Sequence, residues 1–331
     1  MFAREGGPEV LELFEIDVPP PEPGEVRVRV EAIGLNRAEA MYRGGYYYER
    51  PARFPAICGY EAAGTVDAVG AEVVGLATGD AVSVIPAFSM RDHGVYGELV
   101  NVPATAVVSR PAGQDARAGA AVWMAGLTAW AGLVETARLR AGDRVLLTAA
   151  TGSVGLAAIQ VANRLGVTSI ATTRSARKRD ALLAAGASHV IVTGEDDLVT
   201  RVKQLTDGRG VDLIFDALGG DGVHALAAAA RANALMLIYG FLYTPEVAGS
   251  FGTVATPLPF TNWSLAVRWF AAQDVTRDDE GRRRSRQFVL GGLASGALSP
   301  IVDRTFALAD IAAAHRYLES SAQVGKVIVT V

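Results

Sequence analysis

Apolar and charged residues alternate along the first third of the chain. In the segment EVRVRVEAIGL, Val26, Val28 and Val30 alternate with charged neighbours, which is typical of a strand buried on one face. The proline-rich turn PPPEPGE precedes it, and three short segments bounded by Gly or Pro follow, AAGTVDAVG, DAVSVIPAF and GVYGELVNVP. Closely spaced strands of this kind predict a barrel-like β domain over residues 1–120.

From about residue 120 the pattern changes to alternating strands and helices. The apolar runs are RVLLTAA, TSIATT, HVIVT, VDLIFDAL and ALMLIYG, and the helical segments between them include VGLAAIQVANRLG, KRDALLAAGA, LVTRVKQLTDG and VHALAAAARA. Strands that are apolar on both faces and joined by helices predict a parallel sheet between two helical layers. We therefore expect an α/β domain of the doubly wound, nucleotide-binding (Rossmann) type over residues 121–271.

The last part of the chain, residues 272–331, has two helical stretches, RRRSRQFVLGGLASGAL and LADIAAAHRYLESS, and ends on the strand GKVIVTV. Because that strand lies far from any alternating partner, we expect the segment to return to the first domain. The first helical stretch carries a basic cluster, Arg282–Arg284 with Arg286. A solvated helix face explains this cluster better than a binding patch does.

Length and composition indicate a globular enzyme of two domains. Half of the 331 residues are hydrophobic and a fifth are charged, and the net charge of −4 disfavours nucleic acid as a partner. The single cysteine, Cys58, allows no intramolecular disulfide and suits a reducing compartment. The N-terminal segment lacks the pattern of a signal peptide, and Gly, Thr and Trp interrupt the apolar stretch 118–137. We therefore expect a cytoplasmic protein without a membrane partner.

A glycine-containing turn connects the first apolar strand of the second domain to its helix. In RVLLTAATGSVGLAAIQVANRLG, Gly152 and Gly155 occupy two of the three glycine positions of G-x-G-x-x-G, and Ala150 replaces the first. Backbone N–H groups at such a helix start bind pyrophosphate; Gly152 gives room for close approach, Gly155 allows tight packing, and Ser153 is a candidate cap. Small residues at such turns also serve packing alone, but the strand–turn–helix context favours a nucleotide site. The cofactor-binding candidates here are Gly152, Ser153, Val154 and Gly155.

The residues after the second strand of this domain favour NADP(H) over NAD(H). An NAD site usually has Asp or Glu about 20 residues past the glycine turn, bonded to the ribose 2′-OH. Here the strand ends in IATTRSARKR, so Thr172 and Thr173 take the place of the acid. Arg174 and Lys178 offer positive charge to a 2′-phosphate. The alternative is that these cations merely decorate a helix start, where the helix dipole disfavours them. We predict that Thr173, Arg174 and Lys178 contact NADP(H).

These motifs resemble those of the medium-chain dehydrogenase/reductase superfamily, and the resemblance covers nearly the whole chain. The turn LLTAATGSVGLAAIQVANRLG is similar to the A-x-x-G-x-V-G turn of that superfamily. The segments GGPEVLELFEIDVPPPEPGEVRVRVEAIGLNRAEAMYRGGYY, MAGLTAW, VDLIFDALGG and VGKVIVTV resemble landmarks of its zinc-independent quinone oxidoreductase (zeta-crystallin-like) branch. The resemblance implies a GroES-like catalytic domain over residues 1–120, completed by 272–331, and a Rossmann cofactor domain over 121–271.

Zinc-dependent members of the superfamily carry a cysteine in the segment that matches GLNRAEA and a Gly-His-Glu in the segment that matches GYE. This chain has Asn36 and Tyr60 at those positions, and Glu61 alone does not form a three-ligand zinc site. The chain also lacks the four-cysteine loop of a structural zinc, and its histidines show no metal-like spacing. We predict no metal cofactor and structural or surface roles for the histidines, with His93 nearest the expected cleft.

Without a Lewis acid to polarise a carbonyl, the acceptor should already be electron-poor, such as a quinone or an alkene conjugated to a carbonyl. The resemblance places Asn36 and Tyr46 beside the nicotinamide, where an amide and a phenol can donate hydrogen bonds to a developing oxyanion. Tyr42, Tyr47 and Tyr48 flank the pair Gly44–Gly45, as Tyr46 does, and are alternatives to Tyr46. Water is an alternative proton source.

Further cofactor contacts follow from the resemblance and from positions after buried strands. Thr128 in GLTAW matches a residue at the nicotinamide end. Gly219 in DALGG and Gly240 with Phe241 in YGFLY follow buried strands, whose carboxyl ends hold ligands in such sheets. The resemblance places Lys326 of GKV near the cofactor cleft, with a structural role as the alternative.

The sequence therefore predicts a zinc-independent, NADPH-dependent reductase that transfers hydride to a quinone or an α,β-unsaturated carbonyl. The alternatives are an enoyl reductase that acts on a CoA- or carrier-bound chain, a cofactor-binding protein without catalytic activity, and a methyltransferase. The expected partner is a small-molecule substrate and not a nucleic acid. The apolar strand ALMLIYG is expected to form the edge of the nucleotide sheet and to pair with its own copy in a homodimer.

Overall fold

The computed structural model describes residues 1–242 and 264–331 and divides the chain into two units. The first unit comprises Met1–Met124, Thr276–Arg283 and Pro300–Val331, and the second comprises Ala125–Val275 and Arg284–Ser299. Within the described residues the strands are β1 (Glu25–Gly34), β2 (Glu61–Val69), β3 (Ala81–Val84), β4 (Leu99–Pro103), β5 (Val107–Ser109), β6 (Arg144–Leu147), β7 (Thr168–Thr173), β8 (His189–Val192), β9 (Val211–Asp216), β10 (Ala230–Ile238), β11 (Ala266–Trp269), β12 (Val302–Ala307) and β13 (Lys326–Thr330).

The α-helices of the same residues are α1 (Arg37–Arg43), α2 (Ala116–Gly119), α3 (Trp123–Trp130), α4 (Ser153–Leu165), α5 (Arg179–Ala184), α6 (Leu198–Leu205), α7 (Val223–Ala229), α8 (Gln273–Thr276), α9 (Asp279–Ala294) and α10 (Ile311–Glu319). A π-helical turn, Ala131–Thr136, continues α3. None of the helices in the described ranges is long and apolar enough to cross a membrane.

The first unit is built on a seven-stranded sheet in the order β12-β13-β1-β2-β3-β5, with β4 also paired to β1. On β1 the predicted alternation holds, because Val26, Val28 and Val30 are buried. From the other face of β1, Arg27 and Arg29 both form ion pairs with Asp67 on β2. The last strand, β13, runs antiparallel to β1 in this sheet.

The second unit holds a six-stranded, all-parallel sheet in the order β11-β10-β9-β6-β7-β8. This is the doubly wound Rossmann order, and it confirms the predicted fold class. Strand β9 is buried along its whole length, as expected for a strand covered on both faces. The chain leaves β6 in one direction for β7 and β8 and later returns to β9 on the other side of β6. The carboxyl ends of β6 and β9 therefore form the topological switch point, where such sheets bind ligands.

The prediction that ALMLIYG forms the edge of the nucleotide sheet is wrong. The segment ALMLIYG belongs largely to β10, which lies between β9 and β11. Among the described strands the outermost is instead β11, a short strand with a parallel register from Leu235 opposite Ala266 to Ile238 opposite Trp269. Sequence pattern missed β11 because its four residues, AVRW, are mostly exposed and carry little periodicity.

The segment Arg284–Ser299 groups with the second unit, whereas the sequence assigns all of residues 272–331 to the first. The physical reason lies in contacts with the second unit's own helices. Arg284 forms an ion pair of 2.7 Å with Glu135, and the Arg164 guanidinium lies 4.2 Å from the centre of the Phe288 ring. In the basic cluster, Arg282 and Arg283 pair with Asp279 and Glu280, and of the four arginines only Arg283 is exposed, so the cluster is less solvated than the sequence suggested.

Candidate active site

The turn between β6 and α4 takes its shape from a left-handed residue. Ala149 has φ 46°, a left-handed conformation that residues other than Gly, Asn and Asp seldom adopt, whereas φ at Ala150 is not positive. The Ala150 N–H donates to the carbonyl of Thr172 at the end of β7, and the Gly152 N–H donates to the carbonyl of Ala149. The missing first glycine is therefore accommodated because the strained position falls one residue earlier.

The two glycines of the turn are there for different reasons. A Cβ on Gly155 would lie 2.5 Å from the backbone of Ala150, so only glycine lets α4 start this close to the turn. A Cβ on Gly152 would meet only the carbonyl oxygen of Ala149, at 3.5 Å. Packing within the protein therefore does not require glycine at position 152, whereas close approach of a ligand would.

Helix α4 begins without a side-chain cap. Its N-cap residue is Gly152, which has no side chain and so makes no capping hydrogen bond to the first turn. The expected capping by Ser153 is therefore wrong, because Ser153 is already the first helical residue. The helix ends at Gly166 in the left-handed conformation, φ 70°. The amides of Ser153, Val154 and Gly155 thus form an uncapped, dipole-positive helix start at the carboxyl edge of the sheet, an arrangement that favours an anion.

The end of β7 carries the residues proposed to select the cofactor. Thr172 and Thr173 are buried, and the Thr173 hydroxyl accepts a hydrogen bond from the Ser175 N–H at 3.3 Å. Arg174 is exposed, and Lys178 lies in a 3-10 turn, Ala176–Lys178, that leads into α5. The carboxyl end of β7 therefore presents no acid and is followed at once by an exposed guanidinium.

A buried carboxylate that sequence reasoning did not single out stands at the switch point. Asp216, the last residue of β9, accepts a hydrogen bond of 2.5 Å from the Thr148 hydroxyl and one of 2.8 Å from the Gly219 N–H. Burial raises the pKa of this carboxyl above its usual value, although these hydrogen bonds oppose the shift. The available signal was an acid at the carboxyl end of a buried strand, VDLIFD, directly before the glycine pair of DALGG.

Three of the predicted cofactor residues lie together beyond this carboxylate. Gly219 has φ 63°, and a Cβ there would lie 3.3 Å from the carbonyl oxygen of Gly240 and 3.2 Å from the Phe241 ring. The Phe241 ring stacks on Trp269 with 4.5 Å between centroids. Thr128 is buried in α3 of the same unit.

In the first unit, the start of α1 and the strands β2 and β13 contribute a cluster of buried polar and charged side chains, which we call the buried network. It consists of Asn36, Glu39, Glu61 and Lys326. The Lys326 ammonium forms an ion pair with Glu61, and both side chains are fully buried. Glu61 also accepts a hydrogen bond of 2.9 Å from the Met124 N–H. Lys326 is thus enclosed by protein, and its assignment to cofactor binding stays a prediction.

Asn36 uses all of its hydrogen-bonding groups within the protein. Its amide nitrogen lies 3.0 Å from Glu39, 3.2 Å from Glu61 and 3.1 Å from the carbonyl oxygen of Gly34. Its amide oxygen accepts a hydrogen bond of 2.7 Å from Lys326. To donate to a substrate, Asn36 would have to release one of these acceptors, so its catalytic assignment also stays a prediction.

Glu39 was not among the predicted site residues, yet it organises this network. Its carboxylate accepts hydrogen bonds from the backbone N–H groups of Asn36 and Tyr60. Complete burial raises the pKa of Glu39 to about 7, against the lowering effect of Asn36 and Lys326. The spacing of Asn36 and Glu39, three residues apart at a helix start, is the capping-box signal that could have found it.

The four tyrosines near Gly44 and Gly45 have different environments. The Tyr42 hydroxyl donates to the carbonyl of Met90. The Tyr47 hydroxyl lies 3.1 Å from the hydroxyl of Tyr60, and its ring packs on Tyr48 at 4.3 Å. Burial raises the pKa of Tyr47 well above its usual value, and it raises the pKa of Tyr42, Tyr46 and Tyr48 in the same direction.

Tyr46 lies elsewhere in the same unit. Its ring covers Gly44, where a Cβ would come within 2.3 Å of the phenol ring. Burial raises the pKa of Tyr46, and the nearby Glu319 raises it further, whereas Arg43 and Arg37 lower it. The charged neighbours of Tyr46 are therefore not those of Asn36. Within the described residues, no hydrogen bond joins these two predicted catalytic residues.

Two histidines have clear structural settings. His315 is fully buried, with Nδ1 2.6 Å from the Arg43 guanidinium and Nε2 3.0 Å from the Tyr96 hydroxyl. Burial and the adjacent Arg43 lower the pKa of His315 to about 3, so it is a neutral packing residue. His93 has its ring against Phe88 and its Nδ1 3.3 Å from the carbonyl oxygen of Asn101.

In the described ranges, no group of three or more His, Cys, Asp or Glu residues is arranged to hold a metal ion.

Two family models match the chain. The alcohol dehydrogenase GroES-like domain matches residues 22–112, and the zinc-binding dehydrogenase domain matches residues 153–278. A quinone oxidoreductase from Pseudomonas aeruginosa is 33% identical over 99% of this chain and 97% of the relative. A 2-haloacrylate reductase from a Burkholderia species is 28% identical over 98% of this chain and 96% of the relative.

Among solved structures, Escherichia coli quinone oxidoreductase complexed with NADPH has a TM-score of 0.88 and 30% identity to this chain, with 100% of this chain and 98% of that one covered. The fold and these matches together define an oxidoreductase built from a GroES-like unit and a Rossmann unit. The chain belongs to the quinone oxidoreductase branch of the medium-chain dehydrogenase/reductase superfamily. This family excludes the methyltransferase alternative.

The substitution Gly155→Ala should lower the free energy of unfolding by about 1–3 kcal/mol, because the added methyl group would overlap the backbone of Ala150. The matched control is Gly152→Ala, which meets only an ordinary contact and should lose less, about 0.5–1 kcal/mol, because alanine is a poorer N-cap than glycine. Urea denaturation of the full chain measures both. Equal losses in the two variants would contradict the different roles assigned to these glycines.

Because burial raises the pKa of Glu39 to about 7, the folded chain keeps a proton on this carboxyl between about pH 4.5 and 7, where the unfolded chain has released it. The contribution of Glu39 to stability is therefore fully present below about pH 4.5 and is lost as the pH rises toward 7. His315, with a lowered pKa, acts in the opposite direction as the pH rises from about 3 to 6.5. The test therefore compares Glu39→Gln with the wild type. From pH 4.5 to 7, the variant's denaturation midpoint should rise more, or fall less, than that of the wild type, and parallel pH profiles would refute the assignment.

Proposed function

We propose that this chain is an NADPH-dependent reductase that transfers hydride to a quinone or an α,β-unsaturated carbonyl and needs no zinc. The observation that carries the proposal is the start of α4. There, the helix N-terminus has no side-chain cap, and it lies at the switch point of a doubly wound sheet. Packing within the protein does not require glycine at its N-cap position, Gly152. A dinucleotide diphosphate accounts for all three features.

The residues around this turn fit such a cofactor. Gly152, Ser153, Val154 and Gly155 would hold the diphosphate through backbone N–H groups, with Gly152 giving the space for close approach. Gly219, Gly240 and Phe241 follow strands of the same sheet and would line the ribose and nicotinamide portions, with Thr128 at the nicotinamide end. The similarity to an E. coli enzyme solved with NADPH supports this assignment.

The preference for NADPH is proposed from the residues that follow β7. No carboxylate stands at the end of that strand to repel a 2′-phosphate, and the exposed Arg174 offers a guanidinium in its place. Thr173 and Lys178 would add a hydroxyl and a second positive charge. Lys326, which the sequence assigns to cofactor binding, would act indirectly. Its ion pair with Glu61 would hold residues of the first unit in position.

When bound, the nicotinamide supplies a hydride to the acceptor. The chain must then stabilise the negative charge that develops on the acceptor oxygen, and hydrogen-bond donors are the groups that do so. The relatives named quinone oxidoreductase and 2-haloacrylate reductase support the two acceptor classes, because a haloacrylate is an alkene conjugated to a carboxyl group. Both acceptors are electron-poor enough to be reduced without a metal.

The donors proposed for this oxygen are a tyrosine hydroxyl and, less directly, Asn36. Tyr46 is the tyrosine assigned from the sequence, and Tyr47 is a second candidate because its hydroxyl lies 3.1 Å from that of Tyr60, which stands where zinc-dependent members carry a ligand. Asn36 would serve mainly to hold its neighbours in position, because its amide already bonds to Glu39 and Glu61. The proton that completes the reduction comes from a phenol or from water.

We also propose that the protein is cytoplasmic and forms a homodimer. The support for a dimer is the outer strand β11, where Trp269 is 40% exposed at the end of the parallel sheet. Light scattering at micromolar concentration should give twice the monomer mass of 34.6 kDa. A monomer under those conditions would contradict the proposal.

The proposed activity is tested directly with purified protein. NADPH should show enhanced or shifted fluorescence on mixing, and its absorbance should fall when a quinone or a conjugated enone is added. Treatment with a chelator should leave the rate unchanged, since no zinc is proposed. A protein that oxidises NADPH with no member of either acceptor class would refute the proposal.

The substitution Arg174→Ala should raise the KM for NADPH about ten- to hundredfold and barely alter that for NADH, because it removes one charge-assisted bond to the 2′-phosphate. Lys178→Ala should have the same effect more weakly. The matched control is Arg140→Ala. Arg140 is an exposed arginine that precedes β6 and so lies toward the amino ends of the parallel strands, away from Arg174. Equal weakening of both cofactors by Arg174→Ala would show that the phosphate assignment is wrong.

Loss of a phenol that donates to the acceptor oxygen should slow the reduction of enones by on the order of 10²-fold and that of quinones less, because quinones are the stronger electron acceptors. We expect this pattern for Tyr46→Phe, measured as kcat/KM on both substrate classes. Tyr47→Phe is the matched comparison. A selective loss only in Tyr47→Phe would move the role to that residue, and wild-type rates in both variants would remove tyrosine from the mechanism.

A further inference from the structure

Asp216 is a buried carboxylate that the proposed chemistry does not use. It closes β9 at the switch point of the parallel sheet, and its side chain is surrounded by neutral donors in the described structure. The Thr148 hydroxyl donates to Oδ1 at 2.5 Å, and the Leu218 N–H donates to the same oxygen at 3.2 Å. The Gly219 N–H donates to Oδ2 at 2.8 Å. A buried carboxylate without a cation is costly, so packing alone does not explain it.

The carboxylate bonds to two different parts of the chain, Thr148 at the end of β6 and the loop after β9. Thr148 directly precedes Ala149, the left-handed residue that begins the glycine turn, and its hydroxyl also accepts a hydrogen bond of 2.8 Å from the Ala217 N–H. Gly219 belongs to the loop after β9 and lies next to Gly240. Asp216 and Thr148 therefore join the turn after β6 to the loop after β9, the two segments that flank the crevice of this fold.

We propose that Asp216 and Thr148 are positioning residues that hold the loop Ala217–Gly219 at a fixed distance from the glycine turn and so set the crevice to the size of the dinucleotide. This inference rests on the proposed function. An amide at position 216 could not reproduce the arrangement, because its NH₂ group would face either the Gly219 N–H or the donors to Oδ1. Neither residue is proposed to touch the reacting atoms.

Strand β9 offers a matched control at its other end. Asp212 is also a buried aspartate of β9, but it lies at the amino end of the strand. There it forms ion pairs with Arg209 and Arg231 and accepts a hydrogen bond from the Arg144 N–H. Asp212→Asn therefore perturbs a buried carboxylate of the same strand without touching the crevice.

The experiment compares Asp216→Asn, Thr148→Val, Thr148→Ser and Asp212→Asn in the full chain. We expect the Kd for NADPH to rise about tenfold or more in Asp216→Asn and Thr148→Val, the size of one lost charge-assisted bond. Thr148→Ser retains the hydroxyl and should bind almost as the wild type does. Asp212→Asn should lower the thermal midpoint and leave the Kd within about threefold of the wild type, because that end of the strand faces no ligand.

A second measurement reports on the loop without any cofactor. Amide hydrogen exchange in residues 217–222 should become faster in Asp216→Asn and Thr148→Val but not in Asp212→Asn. Unchanged exchange and unchanged Kd in a folded Asp216→Asn would overturn the inference. If the wild type itself fails to bind NADPH while Asp216→Asn still loosens the loop, the proposed function fails and the positioning role of Asp216 stands.

Discussion

Parallel strands all end at the same edge of their sheet, and the candidate chemistry of the second unit depends on that constraint. With β6 in the middle of the order, the segments that leave β6, β7, β9 and β10 are brought to one edge although they lie far apart in the chain. Backbone hydrogen bonds tie these segments together, from Ala150 to Thr172 and from Tyr239 to Asp216. The helix start, the Thr-Thr-Arg sequence and the glycines after β9 and β10 thereby become parts of one edge.

Most of the fold could be predicted because its elements have strong local signals. The alternation of β1, the six residues of β7 and the end of α4 at Gly166 were all readable from the sequence. The errors fall where tertiary contacts decide. Strand β11 is recognisable only as a partner of β10, and the segment Arg284–Ser299 belongs to the second unit through its contacts with residues such as Glu135 and Arg164.

The candidate site was predictable to a smaller extent. Glycine positions are visible in a sequence because they follow strands, and Gly152 and Gly155 lie at the start of α4. The buried network was not visible, because Lys326 reaches Glu61 across 265 positions of the chain. His315 and Arg43 are 272 positions apart, and neither carries a motif. Such long-range polar partners have no local periodicity, so only the folded chain shows that they meet.

The ion pair between Lys326 and Glu61 has a consequence for the order in which the two units can form. Glu61 is made early in synthesis, whereas its lysine lies on β13, the last strand of the chain. Until that strand has left the ribosome, β1 lacks one of its neighbours in the sheet of the first unit. The buried carboxylate of Glu61 also lacks its cation. The second unit is complete once Ser299 has been made. The unit that begins first along the chain is therefore the one whose residues are completed last, and it cannot close its sheet while the chain is still being made.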